Sequence, residues 1–410
     1  MGTHAHVLRG EDGDNNITII STQKHKTGEL EDQDMYTALI TVAPFIPGDS
    51  NPIVPLSQIP WIDHSLLKHG LWFYATHLTY NVFVSAILSL MLGFSVKSLS
   101  TAVHRGRLDK HDASFSKFMK TIKGITKLVL LHFDHVKLYE NYSKIRKQHA
   151  MVRKLMIRSK TELKAIPSQH GSAFCEEWKR DVANAVKSDL NHVDTSSAPT
   201  HLITWDPKVP INQFDMSLTQ LGLVWILSSF PRLFGIRNVR EELKGVLHIW
   251  AVHGRLLGIQ DEFNIFIKQD YSLYDKLFKN VFIEGLKTMD ETVITLQTTL
   301  IEAISSHLPF MTYKAVLYVG LQEVEGNKGE HVWKLMSWLD KVSVGFIQFW
   351  LWSMRQTCLV RFCMDIFTLG WLMWQFRWDI YDWIRRNITF YFSGKKSVLN
   401  RTTMIVTSSN

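Results

Sequence analysis

Beyond about residue 60, apolar positions recur at three- and four-residue spacing, which predicts helices rather than strands. Ahead of them, prolines at 44, 47, 52, 55 and 60 favour an extended lead-in. From Leu71 to Val96 no charged residue occurs, a length that suits either a central bundle helix or a bilayer crossing. Thr76, His77, Thr79, Tyr80 and Asn81 crowd its first half and favour the core helix, because a spanning helix would strand them in hydrocarbon. Residues 158–213 form an irregular connection holding one helix, EEWKRDVANAVKS. Helices resume over 214–230, with Asp215 as N-cap or first-turn acid, and over 240–259, capped by Asn238. Gly245, Gly254 and Gly258 suit helix packing and termination.

The last ninety or so residues carry a different pattern. Trp338, Trp350, Trp352, Trp371, Trp374, Trp378 and Trp383 lie among apolar residues whose uncharged runs reach only 13 and 11 positions, broken by Arg355, Arg361 and Asp365. Those runs are short for clean membrane spans. Three readings stand: helices lying in a membrane interface, a helical hairpin closing a hydrophobic tunnel, or a tryptophan-rich core layer.

Composition narrows the classes. The chain has 410 residues, 46% hydrophobic and 20% charged, as an ordinary folded protein of one large or two smaller domains. A formal charge of +8 suits an anionic surface, but the basic residues are interleaved with acids and no nucleic-acid module is present. The expectation is no nucleic-acid partner. Cys175, Cys358 and Cys363 are too few for a disulfide framework and suggest a reducing compartment. The opening residues are polar and charged where a signal peptide would be apolar, so no secretory signal is expected. Neither a repeat nor a Gly-rich phosphate loop occurs.

The chemistry-bearing pattern is Arg146, His149 and Arg153, R-x-x-H-x-x-x-R, within KLYENYSKIRKQHAMVRKLMI. Positions three and four apart share a helical face, so one imidazole stands between two guanidiniums. Guanidinium is costly to bury without an anion, and neutral imidazole is an iron ligand. A b-type haem would satisfy both, offering iron to the histidine and propionates to the arginines. The alternative is a basic amphipathic helix with solvated charges. Upstream, FSKFMKT places Lys117, Lys120 and Thr121 on one face in the same way.

In order and spacing, these two clusters resemble the ER-bound oxygenase and rubber oxygenase (latex-clearing protein) family. Residues 59–108, from IPWIDHSLLKHG to HRGRL, are similar to its opening segment, and Trp250, Gly254 and Gly258 to a later W-x-x-x-G-x-x-x-G-I helix. The similarity covers roughly residues 58–265. The resemblance implies that His149 is the proximal ligand of a haem b iron, with Arg146 and Arg153 lining the pocket. It implies that Thr121 is the pocket threonine and that Lys120 occupies the distal side, both serving catalysis. Lys117 stands where the family has arginine, which keeps the charge and loses bidentate geometry. The pocket acid of the rubber-cleaving members has no motif match; only Asp109 and Asp112 lie near.

The expected architecture is all-α, a large helical bundle enclosing a haem pocket. Residues 1–55 are expected to be mostly disordered and 56–340 to form the oxygenase-like domain. Residues 341–392 would be aromatic helices on the domain or membrane interface, and 393–410 a flexible tail. The expected function is haem-dependent oxidation of a hydrophobic, isoprenoid or lipid-like substrate by O2, with peripheral membrane association at the endoplasmic reticulum or cytoplasmic face. A non-catalytic haem sensor or carrier, and a cofactor-free membrane-associated helical protein, remain the alternatives.

Overall fold

The computed structural model describes residues 34–105, 116, 118–120, 122–123, 135–163, 177–199, 209–229, 236, 239–306, 308, 310–324, 326–356 and 358–376. Apart from Asp34, these lie in the unit Met35–Asn410. Residues 1–33 and the expected tail 393–410 lie outside the described residues, as do Asn238, Lys117, Thr121, Asp109 and Asp112.

The first helices are α1 (Met35–Thr41), α2 (His64–Thr76), α3 (Ala86–Ser95) and α4 (Lys97–Arg105), with a π-helical segment Tyr80–Ser85 leading into α3. Next come α5 (His135–Leu163), α6 (Glu177–Asp189), α7 (Gln213–Ser229) and α8 (Val239–Leu257). They are followed by α9 (Tyr271–Leu277), a second π-helical segment Phe278–Ile283, and α10 (Glu284–Lys287). The rest are α11 (Glu291–Ser305), α12 (Tyr313–Gln322), α13 (Glu330–Lys334), α14 (Trp338–Gln356) and α15 (Cys358–Phe376). The described fold is all-α, with no strand among the described residues and one isolated bridge, Pro47 to Asn212.

Local chemistry explains the starts. Asp63, Asp270 and Asp290 accept backbone N–H groups at the heads of α2, α9 and α11, and Thr312 does so for α12. At the centre lies α7, whose Leu218, Leu221, Val224 and Leu227 are fully buried. The seryl hydroxyls of Ser85 and Ser89 donate to the Leu223 and Gly222 carbonyls, fastening the π segment and α3 to α7. Gln297 of α11 donates to the Met91 carbonyl at 2.7 Å and accepts from Tyr313 at 3.0 Å, joining α3, α11 and α12. Gly70 of α2 and Gly245 of α8 face each other so closely that a Cβ on either would strike the other helix's backbone.

Two features depart from the pattern expected of the sequence. Residues 71–96 are not one helix: the chain breaks at His77 (φ −135°) and passes through a π segment before α3. The break frees the Thr79 N–H, which donates to the Asp365 carboxylate of α15 at 2.8 Å, while the Thr79 and Thr368 hydroxyls meet at 3.0 Å. The polar cluster therefore marks an interruption paired with a distant helix. Secondly, residues 35–55 belong to the fold rather than to an unstructured lead. Tyr36, Leu39 and Ala43 are buried, and the Tyr36 hydroxyl accepts from Asn280 at 3.0 Å.

Candidate functional site

Helix α5 has no proline or glycine, and its Leu138, Tyr142 and Met156 are buried on one side. Arg146, His149 and Arg153 continue that inward stripe, whereas Lys144, Lys147 and Lys154 are exposed. The R-x-x-H-x-x-x-R face is thus turned into the protein and is not the solvated side of a basic helix.

Both arginines grip chain segments that have no regular structure. Arg146 Nη2 donates to the Asp49 and Asn51 carbonyls at 2.6 and 2.5 Å. Arg153 Nη2 pairs with the Asp49 carboxylate at 2.6 Å, and its Nε donates to the Pro210 carbonyl at 3.1 Å. A third arginine, Arg255 of α8, donates to the Pro52 carbonyl at 2.9 Å. The amide of Gln213 adds bonds to the Pro47 and Gly258 carbonyls, both at 3.0 Å. Three segments, 46–52, 209–213 and 258–260, are thereby laced together beside α5.

The junction is conformationally demanding. Gly258 has φ +112°, and a Cβ there would strike the Asp49 backbone, so glycine is required both by dihedral and by space. Ile211 has φ +51°, a costly region for a β-branched residue. Its carbonyl accepts from Gly48 N–H at 2.9 Å and from Arg153 at 3.3 Å, bonds that hold the strained residue in place.

Inside this latch the His149 Nδ1 is buried and makes no hydrogen bond. Arg146 Nη1 is likewise buried with no partner. Burial pulls the His149 pKa down to about 4, the two arginines reinforcing and Asp49 opposing the shift. At neutral pH the ring is therefore uncharged, the form that ligates a metal.

Further polar pairs flank the site. On the same helix, two turns earlier, the Tyr142 hydroxyl bonds His253 Nδ1 of α8. Trp250 Nε1 donates to the Tyr74 hydroxyl, tying α8 to α2. The buried carboxyl of Asp215 is pushed up to about 6 by burial, against bonds from Ser98 and the Asn212 N–H. It also has its own N–H bonded to Asn212 Oδ1, a reciprocal cap that accounts for its position at the start of α7.

Of the residues singled out in the sequence, the structure brings Arg146, His149 and Arg153 together on one inward face. Lys120 is exposed, beside buried Phe118, Met119 and Ile122. Asp49, which supplies the anionic partner of Arg153, was hidden in the proline-rich lead-in and had no motif to reveal it. His253 lies between Trp250 and Gly254 and carries no motif of its own.

A separate, small apolar cavity of about 40 Å³ lies among α3, α11, α12 and the second π segment. Leu88, Met91, Leu92, Phe278, Leu317 and Leu321 line it, with Glu323 among the few polar contributors. None of its lining residues belongs to the His149 latch.

Among the described residues no three His, Cys, Asp or Glu side chains group as a metal cage. No protein-family model, curated protein or solved structure matches this chain.

Proposed function

We propose that the chain is a haem b-dependent oxygenase acting with O2 on a hydrophobic, isoprenoid or lipid-like substrate. The observation that carries the reading is the uncharged His149 ring, whose buried Nδ1 lacks a partner beside the equally unpartnered Nη1 of Arg146. Buried polar groups are normally satisfied, and two orphans on one helix face ask for a ligand between or beside them. The donor set fits: one neutral imidazole is what haem iron takes from a protein, and a guanidinium N–H is suited to a propionate. When bound, haem supplies activation of dioxygen toward an electron-rich substrate.

The chain's own residues would divide the remaining work. His149 would hold the iron, and Arg146 would complement the group's acidic edge. Arg153, already charge-matched by Asp49, acts instead as the latch that fixes the angle of α5 against 46–52 and 209–211. The cavity between α3 and α12 is apolar, which agrees with a hydrophobic substrate, and at about 40 Å³ it takes a small apolar group rather than a whole isoprenoid chain.

Titration of the purified full chain with haemin tests the reading. A stoichiometric Soret band, lost in His149→Ala and kept in the exposed-site control His64→Ala, is expected. The exposure of Lys120 predicts that Lys120→Ala leaves that band unmoved. Oxygen uptake with a polyprenoid or an unsaturated lipid then separates an oxygenase from a sensor or carrier.

One observation favours a second reading, a cofactor-free helical protein. Arg146 and Arg153 bond the carbonyls of Asp49, Asn51, Pro210 and Ile211 and the Asp49 carboxylate, so the motif works as a latch without any added group. Absence of a His149-dependent Soret band would select it.

A further inference from the structure

The inward positions of α14 and α15 keep one phase, from Ser343, Ile347, Leu351 and Met354 to Asp365, Thr368 and Leu372, all buried. These positions fix the pair to the protein. Gln348 donates to Gln322 of α12 at 2.9 Å, the Trp350 ring lies 6.5 Å from Phe310, and Asp365 caps Thr79. The opposite side is just as apolar, and no described residue covers it. Trp338, Phe349, Leu359, Phe362, Phe367 and Trp374 are each more than half exposed. A helix apolar on both sides belongs to a buried environment, and an uncovered apolar stripe of this extent marks an interaction surface.

Charge selects the occupant. Between Trp338 and Phe376 the acids are Asp340, which caps Ser337, and Asp365, which is buried on Thr79. Of the ionic groups bordering the stripe, Lys341 and Arg355 are positive and exposed, while the one acid, Asp340, is bonded to Ser337 N–H and Oγ. Two copies facing each other through this stripe would bring like charges together, which disfavours self-pairing. Tryptophans near both ends with Phe, Leu and Ile between them are suited to the headgroup boundary, and basic groups are suited to anionic lipid. No helix among the described residues is long and apolar enough to cross a membrane, and the inner phase is already committed to α12 and Thr79. We infer that the outer stripe of α14 and α15 beds flat into an anionic lipid bilayer. The inference is independent of haem at His149. It places α12, which lines the apolar pocket and carries α14, next to the membrane-bound helices.

Flotation of the full chain with vesicles of phosphatidylcholine containing about one third phosphatidylserine tests it, with pure phosphatidylcholine as comparison. Binding to the anionic vesicles is expected, with weaker binding to the neutral ones. Phe349→Glu and Phe362→Glu should each weaken it about tenfold or more. Both sites are exposed, so melting temperatures should stay unchanged. Cys363 lies on the same stripe and is exposed, so the vesicles should slow its labelling by a water-soluble maleimide, read by mass spectrometry at that residue. His149→Ala should float like the unaltered chain, which separates this result from the haem assignment. Equal flotation of the two Glu variants and the unaltered chain overturns the inference, as does Cys363 labelling that ignores vesicles. A dimer in light scattering that Phe349→Glu splits, with no vesicle binding, overturns it in favour of self-association. Vesicle-free behaviour rescued only by an acidic helical peptide overturns it in favour of a protein partner.

Discussion

The guanidinium of Arg153 and the carboxylate of Asp49 meet at 2.6 Å, both mostly shielded from water, across a gap of over a hundred residues in the chain. This pair, with the carbonyls of Pro210 and Ile211, holds the lead-in and the start of α7 against the histidine-bearing helix.

Replacing Arg153 with Met should leave the Asp49 charge and two carbonyls without their partner. A loss of about 2–4 kcal/mol in urea unfolding is expected, against about 0–1 for a surface pair. Asp49→Asn should cost less, since the amide oxygen still accepts. In the double variant the costs should be less than additive; full additivity would show that the two side chains do not act together.

The His149 ring should titrate near pH 4 by NMR, well below the usual histidine range. A folded pKa below the unfolded one means that the unfolded chain takes up the proton first as pH falls. Stability from this group is thus whole above about pH 6.5 and drains away as pH falls toward 4. The loss is on the order of 2–3 kcal/mol, and His149→Gln should flatten that part of the stability curve. A ring that titrates at an ordinary pKa would remove the claim that burial keeps it neutral.

Asp215 works in the opposite sense. Its carboxyl is raised to about 6, so its favourable contribution is whole below the unfolded value near 3.8 and is lost as pH rises through 6. Asp215→Asn should therefore gain stability relative to the parent when measured at pH 8 rather than pH 4, by about 1–3 kcal/mol. The same relative stability at both pH values would mean that the carboxyl ionises normally.

Asp365→Ala should loosen α15 by leaving the buried Thr79 N–H unbonded, at a cost of about 1–3 kcal/mol. Limited proteolysis near residue 357, between α14 and α15, should accelerate while the His149 region keeps its protection in hydrogen exchange. An unchanged cleavage rate would show that Asp365 does not hold the helix.

The helices themselves were largely legible in the sequence, because helical periodicity, caps and helix breakers act within a few residues. Arg146, His149 and Arg153 fall on one face of α5 for that reason alone, and Asp215 sits at the start of α7 because its side chain bonds three residues back. Gly245 and Gly258 likewise announced packing and termination. What those residues touch was decided by tertiary structure. Nothing local pairs Asp49 with Arg153, or Asp365 with Thr79 some three hundred positions away, so neither the latch nor the capped break at His77 could be read from spacing. The aromatic helices show the same limit from another side. When both faces of a helix are apolar, periodicity cannot say which one the core takes, and only the packing of α14 on α12 and of α15 on Thr79 left the other face outside.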